Sequence, residues 1–161
     1  MKRLAMATKF KKRIRLKEFC YKGFYRYFVT LCVHNNNQIF KEKDLINNIL
    51  SDLKKISEKH RFSVWAYCFM PDHLHLLLEG RSENSDFRRF ISEFKQSTGF
   101  NNSQTFKDKL WQINYYEHVL RKEDDTKRVA YYIFNNPVRK GLVEFYKDYP
   151  FQGSFEFESW S

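Results

Sequence analysis

The chain is poor in cysteine, in acidic residues and in long apolar runs. Cys20, Cys32 and Cys68 are its three cysteines, an odd number at wide spacing with no Cys-x-x-Cys pair. That argues against a disulfide framework and against a zinc ribbon. All three read as reduced thiols, with Cys32 and Cys68 as core residues of strands. Cys32 and His34 stand two apart, but no further ligand clusters with them. No apolar run approaches the ~20 residues that a membrane-spanning helix needs, so no membrane partner is expected. The first residues, Met1-Lys2-Arg3-Leu4-Ala5-Met6, are basic but lead into no apolar segment, unlike a secretory signal. A cytoplasmic protein is the expectation. There is no internal repeat, low-complexity segment or linker, so residues 1–161 are expected to form one domain.

Acidic residues are outnumbered: 19 Asp and Glu face 29 Lys and Arg, a formal net charge of +10. Such an excess attracts polyanions, and nucleic acid is the commonest in the cytosol. The charge is uneven. Lys9, Lys11, Lys12, Arg13, Arg15 and Lys17 crowd one short segment. If extended, Lys11, Arg13, Arg15 and Lys17 line one side of it, which suits an arm over residues 1–17 that contacts phosphate. A solvated tail is the plainer alternative.

What is abundant is aromatic and aliphatic material in readable patterns. Residues 24–33, Phe-Tyr-Arg-Tyr-Phe-Val-Thr-Leu-Cys-Val, predict a central strand that the Asn35-Asn36-Asn37 run ends. Leu45, Ile46, Ile49, Leu50, Leu53 and Ile56 make one stripe on a helix over about 43–59. Residues 62–70 and 73–79 form a hairpin turning at Pro71-Asp72. Ser85 or Asp86 caps a second helix whose apolar face is Phe87, Phe90, Ile91 and Phe94. A loop over 99–110 and a strand over 111–121 follow. A third helix runs from about Asp124 to Asn135, limited by Pro137. The order β-α-β-β-α-β, with two helices on one face of a four-stranded antiparallel sheet, predicts an α+β, ferredoxin-like domain with an added C-terminal helix.

Two features carry chemistry. On a strand starting at His73, side chains alternate, so His73 and His75 share one face and Leu74, Leu76 and Leu78 the other. The leucine face needs cover, which leaves the histidine face open. Two imidazoles at i and i+2 can bind one divalent ion, although such a pair also occurs as a plain polar strand face, and a third ligand has to come from elsewhere. The third helix carries adjacent tyrosines. Tyr132 shares a helix edge with Asn136, and Tyr131 shares the other with Asn135. Spacing alone does not choose between these pairs, and tyrosines on such a helix commonly pack at a core rim.

Met70-Pro71-Asp72-His73-Leu74-His75-Leu76-Leu77 resembles the histidine–hydrophobic–histidine motif of HUH single-strand endonucleases. The segment from Tyr132 through Ile133, Asn135, Asn136, Pro137, Arg139 and Gly141 to Val143 resembles the signature of REP-associated tyrosine transposases, single-tyrosine enzymes akin to small insertion-sequence transposases. Trp111-Gln112 and Tyr116–Arg121 resemble the block between these motifs, and the likeness extends over about residues 25–160. Lys140 departs from it, standing where alanine is frequent. The resemblance implies Tyr132 as nucleophile, His73, His75 and Asn136 as ligands of Mg²⁺ or Mn²⁺, and no such role for Tyr131. It also implies cleavage and rejoining of single-stranded DNA beside a hairpin through a 5′-phosphotyrosine. Lys12, Arg13, Arg15 and Arg139 would contact DNA. His118 is a candidate to support the site or a structural histidine.

Two other readings compete. A non-catalytic single-stranded nucleic-acid-binding module of the same topology would display stacking aromatics and have no use for His73, His75 and Tyr132 together. A metal-dependent nuclease using water would keep the histidines without needing Tyr132. Monomer and homodimer are equally compatible with the sequence.

Overall fold

The computed structural model of the protein describes residues 18–106 and 108–157. The basic arm, with Lys12, Arg13 and Arg15, lies outside the described residues. Among these residues one sheet forms from β1 (Arg26–Cys32), β2 (Phe62–Met70), β3 (His73–Gly80), β4 (Tyr116–Val119) and β5 (Gln152–Gly153). Its order is β4-β1-β3-β2-β5, and each neighbouring pair is antiparallel. The helices are α1 (Lys43–Lys59), α2 (Phe87–Asn101), α3 (Thr126–Phe134) and the short α4 (Asn136–Arg139). The fold is α+β, with an antiparallel sheet and C-terminal helices. No helix among the described residues is long and apolar enough to cross a membrane.

The apolar stripes account for the packing. Leu45, Ile46, Ile49, Leu53 and Ile56 of α1 are buried, as are Phe87, Phe90, Ile91 and Phe94 of α2. These helices touch each other and share a core with Val29, Leu31, Leu74, Leu76 and Leu78 of the sheet. Each such side chain contributes roughly 1.5–3 kcal/mol by leaving water. Asp86 caps α2, its Oδ1 accepting from the Arg89 N–H at 3.1 Å. At the far end of β3, a Cβ on Gly80 would collide with the carbonyl oxygen of Gly23, so the close approach of these two segments requires glycine there.

The histidine face is not open as expected from the sequence. A second core covers much of it: Phe28, Ala66, Cys68, Met70 and Leu77 from the sheet meet Ala130, Ile133 and Phe134 of α3 and Tyr149 of the C-terminal segment. The apolar side of α3 has to be buried, and this face offers the apolar residues to do it. The same C-terminal segment adds β5 to the edge of β2. Burial holds the thiol of Cys68 well above the ordinary range, while that of Cys32 rises to about 11, again chiefly through burial.

Boundaries shift where tertiary contacts compete. α1 spans the expected residues. β1 is shorter than residues 24–33, and α2 continues through Gly99 to Asn101. The strand expected over 111–121 is confined to Tyr116–Val119, with Trp111 reduced to an isolated bridge to Val33. The carbonyls of Gln112 and Ile113 accept from Lys95 Nζ, both at 2.7 Å, which takes them out of the ladder. The third helix divides at Asn135, because Pro137 supplies no N–H to continue it. Gly141, at φ 69°, ends α4 in the left-handed conformation, and its N–H reaches the Val138 carbonyl at 2.9 Å.

Candidate active site

β3 pairs His75 with Thr30 of β1 and Cys68 of β2, and His73 with Cys32 and Met70. Both imidazoles therefore project from one face at the turn end of the hairpin. That end is tied down: the Val33 N–H donates to the Asp72 carbonyl at 2.9 Å, and the Phe40 N–H to that of Pro71 at 3.1 Å. His75 is buried, at 2 % exposure. Its Nδ1 lies 2.9 Å from Thr30 Oγ1, and the Phe28 ring stacks on it with centroids 5.4 Å apart. Asp72 Oδ1 lies 2.6 Å from His73 Nδ1. Each ring thus has its Nδ1 engaged by an oxygen, and the two Nε2 atoms face each other at 3.1 Å.

Burial first, then the charges of His73 and Arg139, push the pKa of His75 well below the ordinary imidazole value. His75 is neutral at pH 7, the form in which imidazole binds metal. The hydrogen bond from the His73 imidazole is the largest cause holding the Asp72 carboxyl below its usual range. A carboxylate on Nδ1, the common second contact of a metal-binding histidine, orients the ring and directs Nε2 toward His75.

The pair fits a divalent cation. Two bonds of ~2.1 Å at a right angle span about 3.0 Å, close to the observed 3.1 Å between the Nε2 atoms. Among the described residues, no group of three His, Cys, Asp or Glu side chains gathers to hold a metal. Among the described residues, a third protein ligand would then be a neutral oxygen. Asn136 offers one: it is 1 % exposed, its Nδ2 is buried without a hydrogen-bond partner, and its Oδ1 accepts from Arg139 Nη2 at 2.8 Å.

α3 brings Tyr132 to the same face. Its ring stands edge-on to Phe28, the residue that stacks on His75, with centroids 6.3 Å apart. The Arg139 guanidinium lies 4.0 Å over the Tyr132 ring. Tyr131 is rotated away. It is 51 % exposed and packs edge-on against Tyr146 of the C-terminal segment, centroids 5.5 Å apart. The geometry therefore separates two tyrosines that helical spacing left equivalent. Residues gathered on one sheet face are thus His73, His75, Tyr132, Asn136 and Arg139.

Some contributors were not singled out from the sequence. Asp72 was read only as a turn residue, although it immediately precedes His73. Thr30 is a hydroxyl in an apolar strand, and only the β1–β3 register places it beside His75. Phe28 reads as core, and it does pack in a core, yet it also links His75 to Tyr132. His118 lies opposite Phe28 in the β1–β4 register.

Comparison with known proteins shows the family. The family described as transposase, IS200 like, matches residues 22–136. The chain belongs to the IS200-like transposases. A Haemophilus influenzae protein named as a REP-associated tyrosine transposase is 30% identical over 136 residues, covering 78% of this chain and 77% of its own. The Escherichia coli K12 REP-associated tyrosine transposase is 30% identical over 101 residues, 60% of this chain and 57% of its own. A solved structure of a REP-associated tyrosine transposase bound to a REP hairpin superposes with a TM-score of 0.70 at 22% identity. It covers 87% of this chain and 82% of that one, and it establishes likeness of fold. The family resemblance read from the sequence is borne out. The transposase is an HUH-type enzyme that cleaves and rejoins single-stranded DNA through a phosphotyrosine. Membership also implies a divalent metal ion.

Proposed function

We propose that Tyr132 is the nucleophile of this transposase and that His73, His75 and Asn136 hold its Mg²⁺ or Mn²⁺. The observation that carries this is the convergence of Tyr132, through Phe28, on the face where the two Nε2 atoms meet at 3.1 Å. In the reaction, Tyr132 Oη bonds to the phosphorus of a DNA phosphodiester and the bond from phosphorus to O3′ breaks. The departing O3′ takes a proton and becomes a 3′-hydroxyl, and the phenol gives up its own. The 5′-phosphate stays esterified to Tyr132, so no nucleotide cofactor is needed. A second 3′-hydroxyl reversing the step rejoins strands. A phenol ionises near pKa ~10 and is a weak nucleophile unless activated. When bound, the metal would polarise the phosphate and stabilise charge developing on it. The protein's own part is positional: Asp72 and Thr30 hold the imidazoles, and α3 holds the ring.

The substrate in this reading is single-stranded DNA next to a palindromic hairpin, met in the cytoplasm. Phe28 is buried against α3 and is not displayed for stacking bases, which disfavours a purely binding module. The β4-β1-β3-β2 portion of the sheet with α1 and α2 on one face is read as a ferredoxin-like unit, to which α3, α4 and β5 are additions. Residues 1–161 are read as one HUH domain acting as a monomer or homodimer. Wild-type protein incubated with labelled hairpin DNA and Mn²⁺ is expected to give a denaturation-resistant protein–DNA adduct and a free 3′-hydroxyl. Cleavage without an adduct would instead identify a water nucleophile, and binding without cleavage a non-catalytic module.

The arm over residues 1–17, with Lys12, Arg13 and Arg15, belongs to the same reading as a phosphate contact. Deleting it is expected to weaken hairpin binding and flatten the dependence of log K on log salt. Each lost phosphate contact removes ~0.7–0.9 from the slope. An unchanged slope in a fluorescence-anisotropy titration would remove the arm from the interface.

A further inference from the structure

Arg139 was expected from the sequence to contact DNA. Its position in the structure points to a different task. The residue ends α4, and its guanidinium lies 4.0 Å over the Tyr132 ring while Nη2 donates to Asn136 Oδ1 at 2.8 Å. One planar group therefore touches both the tyrosine and the asparagine proposed to act in the site. The two contacts constrain different freedoms. The stack sets the plane of the Tyr132 ring, which Phe28 meets from the side. The hydrogen bond sets the amide. An asparagine side chain rotates broadly about its last torsion and presents oxygen or nitrogen at similar steric cost. Guanidinium is only a donor, so it accepts the oxygen as partner and rejects the nitrogen. A carbonyl oxygen has two lone pairs, so the bond from Arg139 leaves one for a cation. The Asn136 Nδ2 is buried with no hydrogen-bond partner among the described residues, so the nitrogen does not set the orientation.

We propose that Arg139 is a positioning residue that locks the Asn136 amide and the Tyr132 ring into one unit, so that metal ligand and nucleophile are set together. This rests on the reading of Asn136 as a ligand. It runs against simple electrostatics, because a cation beside a metal site should weaken metal binding. Lysine in its place would keep the charge but lose the planar stack and the fork geometry.

The test is the affinity for Mn²⁺ alone, without DNA, titrated by electron paramagnetic resonance. Loss of a residue that orients a metal ligand typically weakens binding by ~10–100-fold. Arg139→Lys is expected to weaken Mn²⁺ binding about 10-fold, and Arg139→Gln by a similar factor although it removes a repelling charge. In Asn136→Ala, the further change Arg139→Lys should have no added effect on Mn²⁺ affinity, since the two act in one unit. Hairpin affinity and its salt slope should be unchanged in Arg139→Lys. Unchanged Mn²⁺ affinity in Arg139→Lys, or tighter binding in Arg139→Gln, would overturn the proposal. If Asn136→Ala alone weakens Mn²⁺ binding, the ligand reading stands and only the lock fails. If neither Asn136→Ala nor Arg139→Lys changes it, both fall. A salt slope lowered by ~1 in Arg139→Gln with Mn²⁺ affinity intact would return Arg139 to a phosphate contact.

Discussion

Tyr132→Phe is expected to form no covalent protein–DNA adduct, a fall of at least ~10³-fold in cleavage, as removing a nucleophile typically does. Metal and hairpin binding should survive, since only one hydroxyl is lost. The ring still meets Phe28 edge-on and still lies under the Arg139 guanidinium. The fold should lose no more than about 1.5 kcal/mol, the usual net value of one hydrogen bond. Tyr131→Phe should form adducts at nearly the wild-type rate. A nucleophile must approach within ~3–3.5 Å of phosphorus in line with the leaving oxygen, and adjacent helical residues differ by ~100° about the axis. Tyr131 is committed to the other side, against Tyr146, so it cannot substitute without turning α3 out of its core. Mass spectrometry of the nuclease-trimmed adduct locates the modified side chain. A nucleotide on Tyr131, or an adduct persisting in Tyr132→Phe, would reverse the assignment.

His73→Ala is expected to abolish cleavage while leaving hairpin affinity mostly intact, because affinity rests largely on phosphate contacts. His73 is the cleaner probe of the pair. It begins β3 and is partly exposed, whereas His75 is buried against Thr30 and Phe28. Removing His75 would leave the Thr30 hydroxyl without that partner and open a gap under Phe28, which costs stability as well as a ligand. A second readout needs no catalysis. Mn²⁺ at ~100 times its dissociation constant should stabilise the wild-type protein by about 2.7 kcal/mol, seen as a rise in Tm that EDTA reverses. The His73→Ala variant should lose most of that rise. Full cleavage by the variant in Mg²⁺, or an undiminished Mn²⁺-dependent rise in Tm, would remove His73 from the metal site.

Much of this protein was legible from residue order because its signals are local. The stripe from Leu45 to Ile56 specifies α1, since a helix buries whichever face repeats at three and four residues. Strand alternation puts His73 and His75 on one face whatever the rest of the chain does. The family likeness rests on the same contiguous motifs. Other features needed the third dimension. Covering the histidine face depends on where α3 docks, and periodicity tells which side of a helix is apolar but not which surface it meets. The pairing of Thr30 with His75 depends on β1–β3 register between strands that are distant in sequence. Tyr131 and Tyr132 are equally placed on their helix. Only the resemblance favoured Tyr132, and the physical difference arises when Ala130, Ile133 and Phe134 bury against the sheet and turn Tyr132 toward Phe28. Arg139 shows the same limit. It was expected to contact DNA, and its stack on Tyr132, seven residues earlier across the break at Asn135, depends on how α4 follows α3. Residue order alone determined α1, the histidine pair and the family likeness, because those signals are contiguous in the chain. Which side chains meet was decided by tertiary packing, because burial and register select among faces that a single helix or strand leaves equivalent.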